Sequence, residues 1–142
     1  MNLFLDDIRS ANMAHNSSKG LGLSYSKDSN WTIVRTYDDF VDVINTQFDY
    51  IDLISFDHDL ACFDVDGNEM TGKNAVDYVI GYCLDNDKPF PKSWYVHSDN
   101  TNGRQNIIGA ITNYLDKVEG ITYPDFRGYH KGVLDGKAVW IS

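Results

Sequence analysis

Short apolar runs alternate with segments of helical period along this chain. Met1–Leu5 is an apolar run that stops abruptly at Asp6-Asp7. Trp31–Tyr37 is rich in β-branched and aromatic residues and predicts a strand. Asp38 then caps a helix whose Phe40, Val43, Ile44 and Phe48 share one face. Ile51–Phe56 predicts the next strand, which ends in Asp57-His58-Asp59. Thr71 caps a second helix with the apolar stripe Ala75, Val76, Val79, Ile80, Cys83 and Leu84, and Pro89 and Pro91 close that region. Trp94–Val96 is a further strand, followed by His97-Ser98. Asn102-Gly103 then opens a helix with Ile107, Ile108, Ile111, Tyr114 and Leu115 inward. Strands alternating with helices predict an α/β fold, a three-layer α/β/α arrangement around a central parallel sheet. Two stretches interrupt the pattern. Ser10–Asn30 is polar and aperiodic and reads as a long loop, so the first helix is degenerate; Asp64–Met70 reads as a shorter polar loop. Val133–Ile141 predicts a C-terminal β-hairpin turned at Asp135-Gly136.

Length and composition narrow the class. At 142 residues, 42% hydrophobic and 23% charged, the chain reads as a single globular domain over 1–142 rather than a disordered or low-complexity segment. Twelve Lys+Arg against twenty-one Asp+Glu give a net charge of −9. Such a surface repels a duplex phosphate backbone, so duplex DNA is not the expected partner. A short phosphate substrate held by a metal ion is compatible with it. The two cysteines, Cys62 and Cys83, are far apart and read as reduced thiols of a cytoplasmic protein. No apolar run approaches the roughly 18 residues that span a bilayer, and the N-terminus has no signal-like pattern, so no membrane role is expected.

The chemistry gathers at strand ends. Asp6-Asp7, Asp57-His58-Asp59 and His97-Ser98 each follow a largely apolar run. In an open parallel sheet the carboxyl ends of the strands share one edge, and ligands bind in the crevice there. Several carboxylates in one crevice repel each other unless a cation or proton intervenes. Oxygen ligands of this kind suit Mg²⁺, which also takes a substrate phosphate.

With Asp6-Asp7 after strand one, Asp57 after strand three and Ser98 after strand four, the chain resembles response-regulator receiver domains. The resemblance implies a flavodoxin-like, receiver-like fold. It also implies that the acidic pair and Asp57 bind Mg²⁺, that Asp57 accepts a phosphoryl group, and that Asp59 contributes to the metal site. Leu5-Asp6-Asp7-Ile8-Arg9, Phe56–Leu60, Thr71-Gly72 and Val96–Asn100 are more closely similar to a divergent branch, the cyclic-phosphate-processing receiver domains of bacteria and phages. That likeness runs over about residues 1–116 and implies processing of cyclic phosphates in RNA-end repair. Ordinary receivers carry a Lys-Pro after a fifth strand; this chain has none there.

The expected site follows. Asp6, Asp7, Asp57 and Asp59 are the metal set for Mg²⁺ (or Mn²⁺). His58 and His97 are an acid–base pair, since histidine titrates nearest neutrality. Asp57 is a ligand or a nucleophile. Ser98, Arg9 and Arg104 contact phosphate oxygens, Arg104 at a helix start where free N–H groups favour an anion. The expected activity is a metal-dependent phosphoesterase on cyclic or terminal phosphates of nucleotides or RNA. A phosphorylatable or pseudo-receiver signalling module, and a protein that sequesters a cyclic nucleotide, are the alternatives. Asp64–Asn68 resembles part of a calcium loop, but with Gly67 in the sixth place the first and twelfth would be Cys62 and Lys73, which excludes it. Tyr123, Phe126, Tyr129 and Trp140, with Arg127, His130 and Lys131, read either as a base-stacking wall or as packing under a long loop.

Overall fold

A computed structural model of the chain describes residues 1–8, 31–98, 100–123 and 130–140. The elements are β1 (Asn2–Leu5), β2 (Trp31–Val34), α1 (Tyr37–Gln47), β3 (Leu53–Phe56), β4 (Asp59–Phe63), β5 (Glu69–Thr71), α2 (Gly72–Asn86), β6 (Ser93–Val96), α3 (Thr101–Tyr114), β7 (His130–Leu134) and β8 (Lys137–Trp140). Six strands form one sheet in the order β2-β1-β3-β6-β7-β8. The first four are mutually parallel. This is the flavodoxin-like receiver arrangement, in which the chain starts in the middle of the sheet and reverses direction across it.

Two features add detail to the expected central parallel sheet with its C-terminal hairpin. Strand β7 pairs antiparallel to β6, and β8 antiparallel to β7. The sheet is therefore mixed, and β7 begins, rather than ends, at the edge where the parallel strands finish. The hairpin itself turns at Asp135 (φ 49°) and Gly136 (φ 80°). Positive φ at both central residues is the turn whose twist matches the strands, and Asp-Gly tolerates it. The second feature lies at 59–71. The expected polar loop Asp64–Met70 is the turn of a two-stranded hairpin, β4–β5, separate from the main sheet, with Glu69 and Met70 already in β5. Its turn is closed by the Asp64 carboxylate, whose Oδ1 accepts the N–H groups of Asp66 and Asn68, each at 2.9 Å. Those bonds hold the Asp64 carboxyl below its ordinary pKa. The expected long loop and degenerate first helix at Ser10–Asn30 lie outside the described residues.

Alternation assigns the two faces of the sheet. Leu3, Leu5, Ile54, Phe56, Trp94 and Val96 point to the face covered by the helices. There they meet Phe40 and Ile44 of α1, Val76 and Val79 of α2, and Ile107, Ile108 and Ile111 of α3. The helices pack side by side, α1 on α2 and α2 on α3. Phe4, Ser55 and Tyr95, paired across β1, β3 and β6, point to the other face and are buried as well. Burial on both faces is what a three-layer arrangement requires.

Local signals shift some boundaries. Strand β2 ends at Val34 rather than Tyr37, because Thr36 and not Asp38 is the N-cap: its Oγ1 accepts the Asp39 N–H at 3.1 Å. Thr71 does start α2, with Asn74 Oδ1 reaching back to its N–H at 2.8 Å. Leu84 is 56% exposed and does not join the α2 stripe.

Candidate functional site

The sheet's hydrogen-bond ladder runs one step past the strands. The Asp6 N–H donates to the Val34 carbonyl at 3.2 Å, Asp57 to Leu5 at 3.0 Å and His97 to Phe56 at 2.9 Å. Asp6, Asp57 and His97 thus form a row at the carboxyl edge, and each lies two residues beyond Phe4, Ser55 and Tyr95 on the same face. This is how three distant segments meet. Asp6, Asp57, His97 and Ser98 are all buried.

A cavity of about 330 Å³ opens above this edge, lined by Asp6, Asp7, Ile8, Asp57, Asp59, Ser98 and Asn100. Four of the seven lining residues are aspartates, so the cavity concentrates negative charge, which a divalent cation offsets. The carboxylates are aimed rather than loose. Asp6 Oδ1 accepts the Ile8 N–H at 2.9 Å, and Asp57 Oδ1 accepts the His58 N–H at 2.8 Å. Asp6, Asp57 and His97 each offer a ligand atom, all within 4.8 Å of one another. The two carboxylates of that group fit a divalent metal ion as oxygen donors.

The two histidines take different positions. His97 projects from β6 across the small Ser55 side chain of β3 to reach β1. Its Nε2 lies 3.0 Å from Asp6 Oδ2 and its Nδ1 2.7 Å from Ser55 Oγ. The Phe4 ring stacks on it, centroids 4.3 Å apart and planes 10° from parallel. Both ring nitrogens are engaged, and the ring does not line the cavity. His58 sits beside the cavity rim. Its Nδ1 is 2.9 Å from Asp59 Oδ1, and its Nε2 takes no hydrogen bond among the described residues.

The helix starts fasten these loops. The Gly72 N–H, at the start of α2, donates to the His58 carbonyl at 2.8 Å. Asn100, a residue the sequence did not single out, caps α3 by accepting the Gly103 N–H at 2.9 Å. Its Nδ2 turns to Asp59 Oδ2 at 3.3 Å. Ser98 Oγ accepts the Asn100 N–H at 3.1 Å. Arg104 donates from Nη1 to the Ser98 carbonyl at 3.1 Å, and its buried Nε has no partner among the described residues. Arg35, also unanticipated, donates from Nη1 to the Asp6 carbonyl at 3.2 Å. Arg9 lies outside the described residues.

Asp6, Asp7, Asp57, Asp59 and Ser98 therefore share one cavity, with Arg104 tied to the Ser98 backbone. In sequence Asn100 stands only as the last residue of the Val96–Asn100 motif. Ser55 carries a faint signal, as the lone polar residue of a wholly buried four-residue strand.

Residues 1–113 match the family model of the cyclic-phosphate processing receiver domain. No curated protein and no solved structure gives a significant match. Among the described residues no helix is long and apolar enough to cross a membrane.

Proposed function

The chain belongs to the cyclic-phosphate processing receiver family, and from that premise we propose that it is a divalent-metal-dependent phosphoesterase acting on cyclic or terminal phosphates of nucleotides or RNA ends. The observation that carries this reading is the gathering of Asp6, Asp7, Asp57, Asp59, Ser98 and Asn100 on one cavity. Asp6, Asp7 and Asp57 are the proposed oxygen ligands of Mg²⁺ or Mn²⁺, with Asp59 completing the acidic rim. The ion supplies the charge compensation that lets a phosphate approach four carboxylates.

The chain's own groups do the rest. The Ser98 hydroxyl accepts from Asn100, so its proton is available to a phosphate oxygen. Arg104 and, from sequence, Arg9 supply positive charge to the same phosphate. Of the two histidines, His58 is the one with a nitrogen to spare, and its Nδ1 contact with Asp59 orients the ring as a carboxylate orients a general base. In hydrolysis, water adds to phosphorus and the bond from phosphorus to the sugar oxygen breaks. One proton leaves the water and one is delivered to the departing oxygen; His58 is the proposed carrier. His97, with both nitrogens engaged, is assigned to holding Asp6 rather than to proton transfer.

The test is turnover of 2′,3′-cyclic and 3′,5′-cyclic nucleotides and of phosphorylated oligonucleotide ends, with Mg²⁺ or Mn²⁺. The expected result is metal-dependent hydrolysis, abolished in Asp57→Asn and reduced about 10²- to 10⁴-fold in His58→Ala. Tight binding without turnover would make the protein a sequestering one. Labelling of Asp57 by acetyl phosphate without hydrolysis would make it a phosphoacceptor.

A further inference from the structure

The cavity is rich in acceptors and poor in donors. Of its seven lining side chains four are aspartates, which as carboxylates only accept, and Ile8 is apolar. Ser98 and Asn100 are left as the side-chain donors of the wall. A phosphate oxygen is an acceptor too. With the charge offset by a cation, the oxygens that do not face it need N–H or O–H groups, and these two side chains offer them.

Asn100 is held so that its donor, and not its acceptor, meets a guest. Its Oδ1 accepts the Gly103 N–H at 2.9 Å. Turning the amide over would set Nδ2 against that N–H, donor against donor, so the helix cap fixes which end faces Asp59. The backbone of Asn100 is engaged as well. Its N–H donates to Ser98 Oγ at 3.1 Å, and its carbonyl accepts the Arg104 N–H at 2.8 Å. Only the Nδ2 group remains, 3.3 and 3.5 Å from the two oxygens of Asp59. Those oxygens sit close together on one carboxylate, whereas the two amide protons diverge, so one proton serves Asp59. The other has no partner among the described residues.

We propose that Asn100 is a substrate-binding residue whose second Nδ2 proton donates to a non-bridging phosphate oxygen, beside the Ser98 hydroxyl. This rests on the reading of the cavity as a phosphate site. A cyclic phosphodiester has two non-bridging oxygens, one for the ion and one for the Ser98–Asn100 pair. One side chain thus has three tasks: Oδ1 starts α3, one N–H steadies Asp59 and the other holds substrate.

The test separates the cap from the contact. Serine caps a helix about as well as asparagine but carries no amide. Asn100→Ser is therefore expected to keep the wild-type Tm and the wild-type affinity for Mn²⁺ alone. In saturating Mn²⁺ it should bind the four nucleoside 3′-monophosphates about 10- to 100-fold more weakly, the worth of a hydrogen bond to a charged group. Asn100→Asp keeps cap and shape but turns the donor into an acceptor; it should lose more, and it carries the test if the serine variant does not fold. Undiminished nucleotide affinity in a folded variant overturns the proposal. A matching loss of Mn²⁺ affinity in Asn100→Ser also overturns it, since the effect then runs through Asp59. So does a wild type that binds none of the four nucleotides in saturating Mn²⁺. Nucleotide binding that weakens as expected, in a protein that hydrolyses no cyclic or terminal phosphate, overturns the phosphoesterase reading and leaves this one standing.

Discussion

At the scale of single residues, two glycines decide whether the site closes. A Cβ added at Gly72 would stand 1.8 Å from the Asp57 carbonyl oxygen, and one at Gly103 would stand 2.3 Å from Cγ of the His58 ring. The two collisions differ in kind. The first is with backbone, which has nowhere to go without moving Asp57. The second is with a side chain that can be removed. Gly103→Ala is therefore expected to destabilise the protein by about 1–3 kcal/mol, the usual cost of overpacking. His58→Ala added to it should recover most of that loss, whereas the same addition to Gly72→Ala should recover little. Urea melts of the two double-mutant cycles check this; equal behaviour of the two glycines would contradict it. The same scale shows what the sequence conveys about the site. The types and positions of Asp6, Asp7, Asp57, Asp59 and Ser98 were legible, because each sits where an apolar run stops. The separate circumstances of His58 and His97 were not. Whether a ring nitrogen is spare depends on Ser55 and Asp6, which lie on other strands and become neighbours only once the sheet has formed.

At the scale of elements, the apolar period served well wherever one face of a segment is buried. All five inward positions expected of α3, from Ile107 to Leu115, are in the core. It failed where burial is slight. Strand β4 buries only Leu60, and its pairing slips between Asp59 and Cys62, with Ala61 at φ 49°. A strand so exposed and irregular leaves no alternation to read. Periodicity is also blind to direction, which is why the reversal of β7 was invisible. Helix α2 carries a pH-dependent consequence of its own. Cys83 is buried on its inner face, and burial, reinforced by nearby Glu119, pushes the thiol from 9.0 up to about 12. The unfolded chain releases this proton near pH 9, while the folded chain keeps it to about 12. Between those values the native state binds more protons, so stability falls as pH rises. Buried Tyr95 and Tyr114 are raised in the same sense. The slope should therefore be shallower, not absent, in Cys83→Ala. Urea midpoints of both proteins across pH 8 to about 11 test this, and identical slopes would contradict it.

At the scale of the whole molecule, the sheet order does what no local motif can. Placing β1 beside β3, and β3 beside β6, sets the ends of three segments along one edge, and that convergence was legible because parallel strands must finish together. The result gathers, in a chain of net charge −9, four carboxylates around one cavity. Their repulsion opposes folding until a cation arrives, so the site should be a stability switch as well as a binding place. Asp7 isolates the effect, because it lines the cavity and makes no hydrogen bond or ion pair with the described residues, whereas Asp59 is tied to His58 and Asn100. Removing its charge costs no hydrogen bond or ion pair among the described residues. Asp7→Asn should stabilise the metal-free protein by about 1 kcal/mol, the scale of one screened like-charge contact, or roughly 3 °C in Tm. Saturating Mg²⁺ or Mn²⁺ should raise the wild-type Tm, by an amount equivalent to about 2.7 kcal/mol at one hundred times Kd. The variant, short of one ligand, should gain less from the same cation, so the two melting curves should approach or cross as the ion is added. Thermal melts of both proteins along a Mn²⁺ titration measure this directly. A variant that starts lower than wild type, or that gains as much from the ion, would remove Asp7 from the metal set.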